Sequence, residues 1–153
     1  MANTTVHHHA ERWIVEHGLA QHFPGVLFSG KKMKLRWGGY FAFDAVSEDN
    51  SLVVAISTSS AVTASNKSAT AKFQKLKTDA LYLLHIDSDA RRLMVFTEES
   101  MRLYFQKEVL KGRFPPSIEL IHIPLPDDLN LLVLASRLAA SRETTPTAIL
   151  QAP

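Results

Sequence analysis

The chain has 153 residues, 46% hydrophobic and 21% charged, which suits one domain able to bury a core without metal or disulfide staples. It contains no cysteine, so disulfides, thiolate zinc sites and cysteine nucleophiles are excluded together. A formal charge of +2 does not by itself announce a nucleic-acid partner.

Thr4 or Thr5 can cap a first helix, in which Val6, Ala10, Trp13, Ile14 and His17 recur at helical spacing. Gly18 weakens this helix and Phe23-Pro24-Gly25 ends it. Residues 26–29 predict a short strand, and Gly30-Lys31-Lys32 a turn into a second run over 34–37. After Gly38-Gly39, residues 40–46 are apolar at nearly every position except Asp44, as in a strand covered on both sides. A turn cluster at 47–51 and a buried run at 52–57 then predict an antiparallel hairpin. A serine- and threonine-rich stretch leads into a helix near Asn66, with Ala69, Phe73, Leu76 and Ala80 as its apolar face. Two strands, 80–85 and 92–96, are expected on either side of Asp87-Ser88-Asp89. Thr97 is the expected N-cap of the next helix, with Glu98 and Glu99 at the positive end of its dipole. Met101, Tyr104, Phe105 and Val109 supply its buried stripe, and Gly112 with Pro115-Pro116 stops it. A strand at 118–123 follows, then a helix opening at Pro126-Asp127-Asp128 with Leu129, Leu132, Val133 and Ser136 on one side.

Residues 1–140 are thus expected to form a single α/β domain of order α-β-β-β-α-β-β-α-β-α, a mixed sheet flanked by helices on both faces. Residues 141–153 are expected to be a flexible C-terminal tail. The longest apolar runs, 52–56 and 129–135, are too short to span a bilayer, and residues 1–9 lack the pattern of a secretory signal. The cytoplasm, with no membrane partner, is the expected location.

Helix, three-stranded meander, helix and strand over residues 5–123, centred on GGYFAFDAVSEDNSLVVAISTSS, is similar to the core of the PD-(D/E)xK (restriction-endonuclease-like) nuclease superfamily. The resemblance implies an Asp on the second meander strand and an acid, any residue and a Lys on the third. Asp44 matches the first acid, as a metal ligand. With the turn centred near Asp49, residue 44 faces 54, and the remaining positions fall at Ile56 and Thr58. A slip of one residue offers Ser57 and Ser59 instead. No acid or lysine occurs between Leu52 and Asn66, so the active site is degenerate. The implied function is nucleic-acid binding, or an assembly role, without efficient catalysis.

Phosphodiester hydrolysis needs a divalent cation to polarise the phosphate and activate water, and magnesium takes one or two carboxylates plus waters and substrate oxygens. A lysine alongside stabilises the developing charge. Members of the superfamily can draw the acid from the first helix and the lysine from the second. Glu11 and Glu16 are candidates for that acid, and Lys67 or Lys72 for that lysine. With such relocated ligands the chain is a magnesium-dependent endonuclease; otherwise no cofactor is implied. A structural or protein-interaction domain is the third reading. The plain alternative for Asp44 is a carboxylate bonded to a neighbouring amide or lysine.

Lys31, Lys32, Lys34 and Arg36 form one basic group, and Lys67, Lys72, Lys75 and Lys77 another. Both are either solvated faces or contacts to DNA or RNA, with Lys67 and Lys72 assisting the first group. A homodimer is one permitted assembly. The hydroxyl-rich stretch after 57 is either a phosphate site at a helix start or a polar loop. Trp37 and Tyr40 either stack on bases or pack at a rim. His7-His8-His9 reads as a tag remnant or a solvated end. His85 and His122 would need a third ligand to hold zinc. P-loop, dinucleotide, serine-elbow and HExxH signatures are absent.

Overall fold

The computed structural model, which describes residues 4–63 and 66–144, is built on a five-stranded mixed sheet in the order β1-β2-β3-β4-β5. The strands are β1 (Phe28–Lys34), β2 (Tyr40–Ser47), β3 (Leu52–Ser57), β4 (Arg91–Phe96) and β5 (Ile118–His122). The first three form an antiparallel meander, and β3, β4 and β5 run parallel. All six residues of β3 are buried, because this central strand is covered on both faces.

Period-two alternation along β3 sends its side chains into two separate cores. Val53 and Ala55 meet α3 (Thr70–Leu84) and α4 (Glu99–Leu110), through Phe73, Leu76, Leu83, Met101 and Phe105. Val54 and Ile56 meet α1 (Thr4–Trp13), the π-turn that continues it (Ile14–Gly18) and α5 (Asp127–Thr144), through Ala10, Ile14 and Val133. The chain is therefore α/β, a mixed sheet flanked by helices. No helix of the described residues is long and apolar enough to cross a membrane.

Several elements differ from the sequence reading. Residues 80–84 are the last turn and more of α3, not a strand. Leu76, Ala80 and Leu83 keep the helical spacing and stay buried, so the apolar run is one face of a longer helix. That helix opens at Thr70 rather than near Asn66. Gly30, Lys31 and Lys32 lie inside β1 instead of turning, and the turn comes at 35–39, where Gly38 has φ +98°. Glu98, not Thr97, is the N-cap of α4, and no side chain caps it. Thr97 is buried, and its hydroxyl has no hydrogen-bond partner among the described residues. The first helical run ends at Phe23, as expected, and Gly18 lies within it. The helix passes through a π-turn (Ile14–Gly18) into α2 (Leu19–His22), and a Cβ at Gly18 would sit 3.0 Å from Ile123 Cγ2. α5 runs to Thr144, and residues 145–153 lie outside the described residues.

The expected hairpin of β2 and β3 is present, shifted by one residue: Ala45 pairs with Val54 and Val46 with Val53. Its turn is held by Ser47, fully buried, whose hydroxyl donates to Asp49 Oδ1 (2.8 Å) and accepts from the Leu52 N–H (2.9 Å). The side-chain and backbone hydrogen bonds of Ser51, with that of Ser47, lower the Asp49 pKa to about 2. Ser47→Ala strips the buried Leu52 N–H of its acceptor, a loss of about 1–3 kcal/mol. The urea midpoint should fall with the slope unchanged. An NMR titration should show Asp49 moving up towards the ordinary carboxylate range. Asp49's stabilising contribution is complete above that range and is lost as pH falls to about 2.

A candidate site at the fork between β2 and β3

β2 and β3 pair over two residues only, and then separate. The cause is a bulge. From Ser29↔Val46 to Lys31↔Phe43, β1 advances two residues while β2 advances three, leaving an extra residue around Asp44. Beyond it, β2 departs with β1 as a two-stranded ribbon that packs on α3. Phe41 stacks on Tyr82 with ring centroids 4.2 Å apart, and Leu35 bridges to Ile86.

Asp44 stands where the strands part. Its Oδ2 accepts the Ile56 N–H at 2.8 Å, taking the place of the ladder carbonyl that β2 no longer presents. The residue keeps solvent contact overall, but its carboxylate end is crowded. Burial raises its pKa, the Ile56 N–H opposes the rise, Asp79 adds to it and Lys75 opposes it. Glu11, half-buried on α1, is also raised, first by burial and then by Asp44, with His8 and Lys75 acting the other way. α3 supplies Lys75 and Asp79 four residues apart on one face, ion-paired at 3.0 Å. Lys75 is largely exposed. Burial works against its ammonium, but Asp79, Asp44 and Glu11 together hold its pKa above the ordinary value.

The site is an open groove in two compartments. One, about 250 Å³, runs between α1 and α3 past the end of β3, and its polar lining includes His7, Glu11, Thr58, Ser59, Lys72 and Lys75. The other, about 210 Å³, lies between the ribbon and α3, with Asp44, Ala55, Lys75 and Asp79 on its walls. At the first, His7 Nδ1 and Thr58 Oγ1 are hydrogen-bonded at 2.8 Å, and Arg137 from α5 donates to the Thr58 carbonyl and to Glu98 Oε1. Burial lowers the His7 pKa, and the cations Arg137, Lys72 and His8 lower it further.

Of the side chains expected to carry chemistry, Asp44, Glu11 and Lys72 converge on this groove. Glu16 does not; it is exposed in the π-turn and lines neither compartment. Lys67 lies in the loop before α3. Lys31 donates to Asn50 Oδ1 at 2.7 Å, while Lys32, Lys34 and Arg36 are exposed on the ribbon. Lys75 and Asp79 escaped the sequence reading as site residues; their signal was the i,i+4 spacing on a lysine-rich helix. The hydroxyls after β3 tie loops together rather than gathering at the start of α3: Ser59 N–H donates to Ser57 Oγ, and Ser60 Oγ meets Ser100 Oγ at 3.2 Å. His85 and His122 have separate partners, Trp37 and Glu99.

At the end of β3 and just beyond it, the positions where the resemblance implies an acid and a lysine are Ile56 and Thr58 or, with the one-residue shift that the β2–β3 pairing adopts, Ser57 and Ser59. Among the described residues, no group of three or more His, Asp or Glu side chains gathers as a metal site. Glu11 and Asp44 make an acidic pair, with one Asp44 oxygen engaged by Ile56 and with Asp79 engaged by Lys75. Two carboxylates lie within what magnesium accepts. No family model, curated protein or solved structure matches the chain.

Replacing Asp44 separates its two roles. Asp44→Asn keeps an oxygen for the Ile56 N–H, so stability at neutral pH should hold or rise. Asp44→Ala removes the acceptor and should cost about 1 kcal/mol, the low end because the residue is open to water. The folded pKa of Asp44 is raised, so its charge penalty is complete above that raised value and is gone below the ordinary carboxylate range. Urea melts of wild type and Asp44→Asn should therefore converge as pH falls through that window.

Proposed function

We propose that this chain is a nucleic-acid-binding protein on a restriction-endonuclease-like core, whose fork site engages phosphodiesters without cleaving them efficiently. The observation that carries this reading is the substitution at the fork. Ser57 and Ser59, or Ile56 and Thr58 in the unshifted register, stand where hydrolysis would need an acid and a lysine, while Lys72 and Lys75 reach the same groove from α3. Lys32, Lys34 and Arg36 on the ribbon, and Lys67 in the loop before α3, are further exposed cations outside the groove lining. The order α-β-β-β-α-β, with β3 and β4 parallel, supports the restriction-endonuclease-like assignment.

A second reading, metal-dependent hydrolysis with relocated ligands, is favoured by one observation: Glu11 and Asp44 line the two compartments that Lys75 joins, and the Asp44 charge adds to burial in raising the Glu11 pKa. In that reading the two carboxylates hold a magnesium ion, whose chemistry is to polarise the phosphate and acidify water. Lys75 then supports the charge that builds on the phosphate oxygens.

Purified protein with magnesium or manganese should leave plasmid and oligonucleotide substrates intact while binding them. Affinity should fall steeply with salt, because lysines that meet phosphates release counterions. A Lys72→Ala, Lys75→Ala double variant should bind more weakly and show a flatter salt dependence. Robust cleavage abolished by Asp44→Asn would replace the first reading with the second. An absence of both binding and cleavage at low salt would leave a structural or protein-interaction domain.

A further inference from the structure

We infer that the outer end of the β1–β2 ribbon is a stacking platform for unpaired bases, which makes single-stranded nucleic acid the ligand class. This rests on the nucleic-acid reading above and adds the form of the substrate.

Trp37 is 60% exposed, an unusual state for the largest apolar side chain. It is also firmly held. Its indole stacks on His85 with centroids 4.2 Å apart and planes at 24°, and its edge meets Tyr82 at 6.5 Å. Tyr82 is itself stacked on Phe41. The turn beneath is tied at both ends. Leu35 N–H donates to Gly39 O (2.8 Å), Arg36 N–H to His85 O (2.7 Å), and Asp87 N–H to Lys34 O (2.9 Å). Arg92 fixes the loop after His85, donating to the carbonyls of Leu83, Ile86, Ser88 and Ala90. With one indole face on His85 and an edge on Tyr82, the surface left to solvent is the opposite face. A second aromatic, Tyr40, is 68% exposed and sits across the strand pair from Lys34.

Cations surround this end. Lys32, Lys34 and Arg36 are all exposed, and the facing acids are Asp87 and Asp89 in the loop that Arg92 organises. A Cβ placed at Gly38 or Gly39 would meet nothing within 4 Å, so a base or a sugar-phosphate can approach the turn closely. A fixed aromatic face flanked by lysines and arginine matches unpaired bases and their phosphates. A duplex hides its base faces and would use the cations alone.

The test uses the two tryptophans of the chain, Trp37 and the partly buried Trp13, whose emission serves as an internal reference. Wild-type protein is titrated with oligothymidylate of about a dozen nucleotides, within the span one such surface covers, and with a blunt duplex of equal length. Oligothymidylate should quench the tryptophan emission. Trp37→Ala should abolish the quenching and weaken oligothymidylate binding by about tenfold or more, with duplex affinity unchanged. Trp37→Tyr should restore most of the affinity, which separates stacking from loss of fold. If Trp37→Ala binds oligothymidylate as wild type does, or loses single strand and duplex equally, the platform is refuted while nucleic-acid binding stands. If the wild type binds neither probe at low salt, both fail.

Discussion

The hydrogen bond from the Ile56 N–H to the Asp44 carboxylate lets the sheet split without leaving a buried amide bare. A strand that departs from its neighbour abandons a donor or an acceptor at each step, and an unpaired buried amide costs about as much as a whole net hydrogen bond. Here the side chain of the departing strand reaches back to satisfy the strand it leaves. The bulge around Asp44 makes this possible by adding one residue to β2 at the point of departure. From that one bond follow the fork, the free ribbon and the groove between the ribbon and α3.

The fork also concentrates charge. Once β2 has moved aside, α3 can bring Lys75 and Asp79 to the gap, and α1 can bring Glu11. None of these groups is deeply buried, so each remains open to water and to a ligand. Burial and the Asp44 charge act in the same direction on Glu11, and Lys75 is a cation that opposes the rise at both acids.

Much of the fold was legible because the signals were local. The apolar runs at 40–46 and 52–57 with a turn cluster between them allow little but a hairpin, and α4 and β5 follow from clear stripes and stops. The failures are where two periods overlap. ALYLLH satisfies both a buried strand and a buried helical turn, and only packing of Leu83 beneath the ribbon decides for the helix. GKK resembles a turn, yet it continues an edge strand in which Lys32 and Lys34 are exposed while Lys31 and Met33 are partly buried. At the site, Asp44 and Glu11 were legible from the resemblance. Lys75 and Asp79 were not, since their role depends on the phase of α3 and on a one-residue register that no local pattern encodes.

β1 is an edge strand, with β2 on one side and, among the described residues, no strand on the other. Such an edge exposes a row of free amides and carbonyls, a template on which another chain can add a strand. Met33 anchors β1 to the core while Lys32 and Lys34 point away from it, so a second molecule approaching edge to edge would have to bring like charges together. These lysines therefore guard the edge against pairing with another copy, and a chain stripped of them would present a bare template for aggregation.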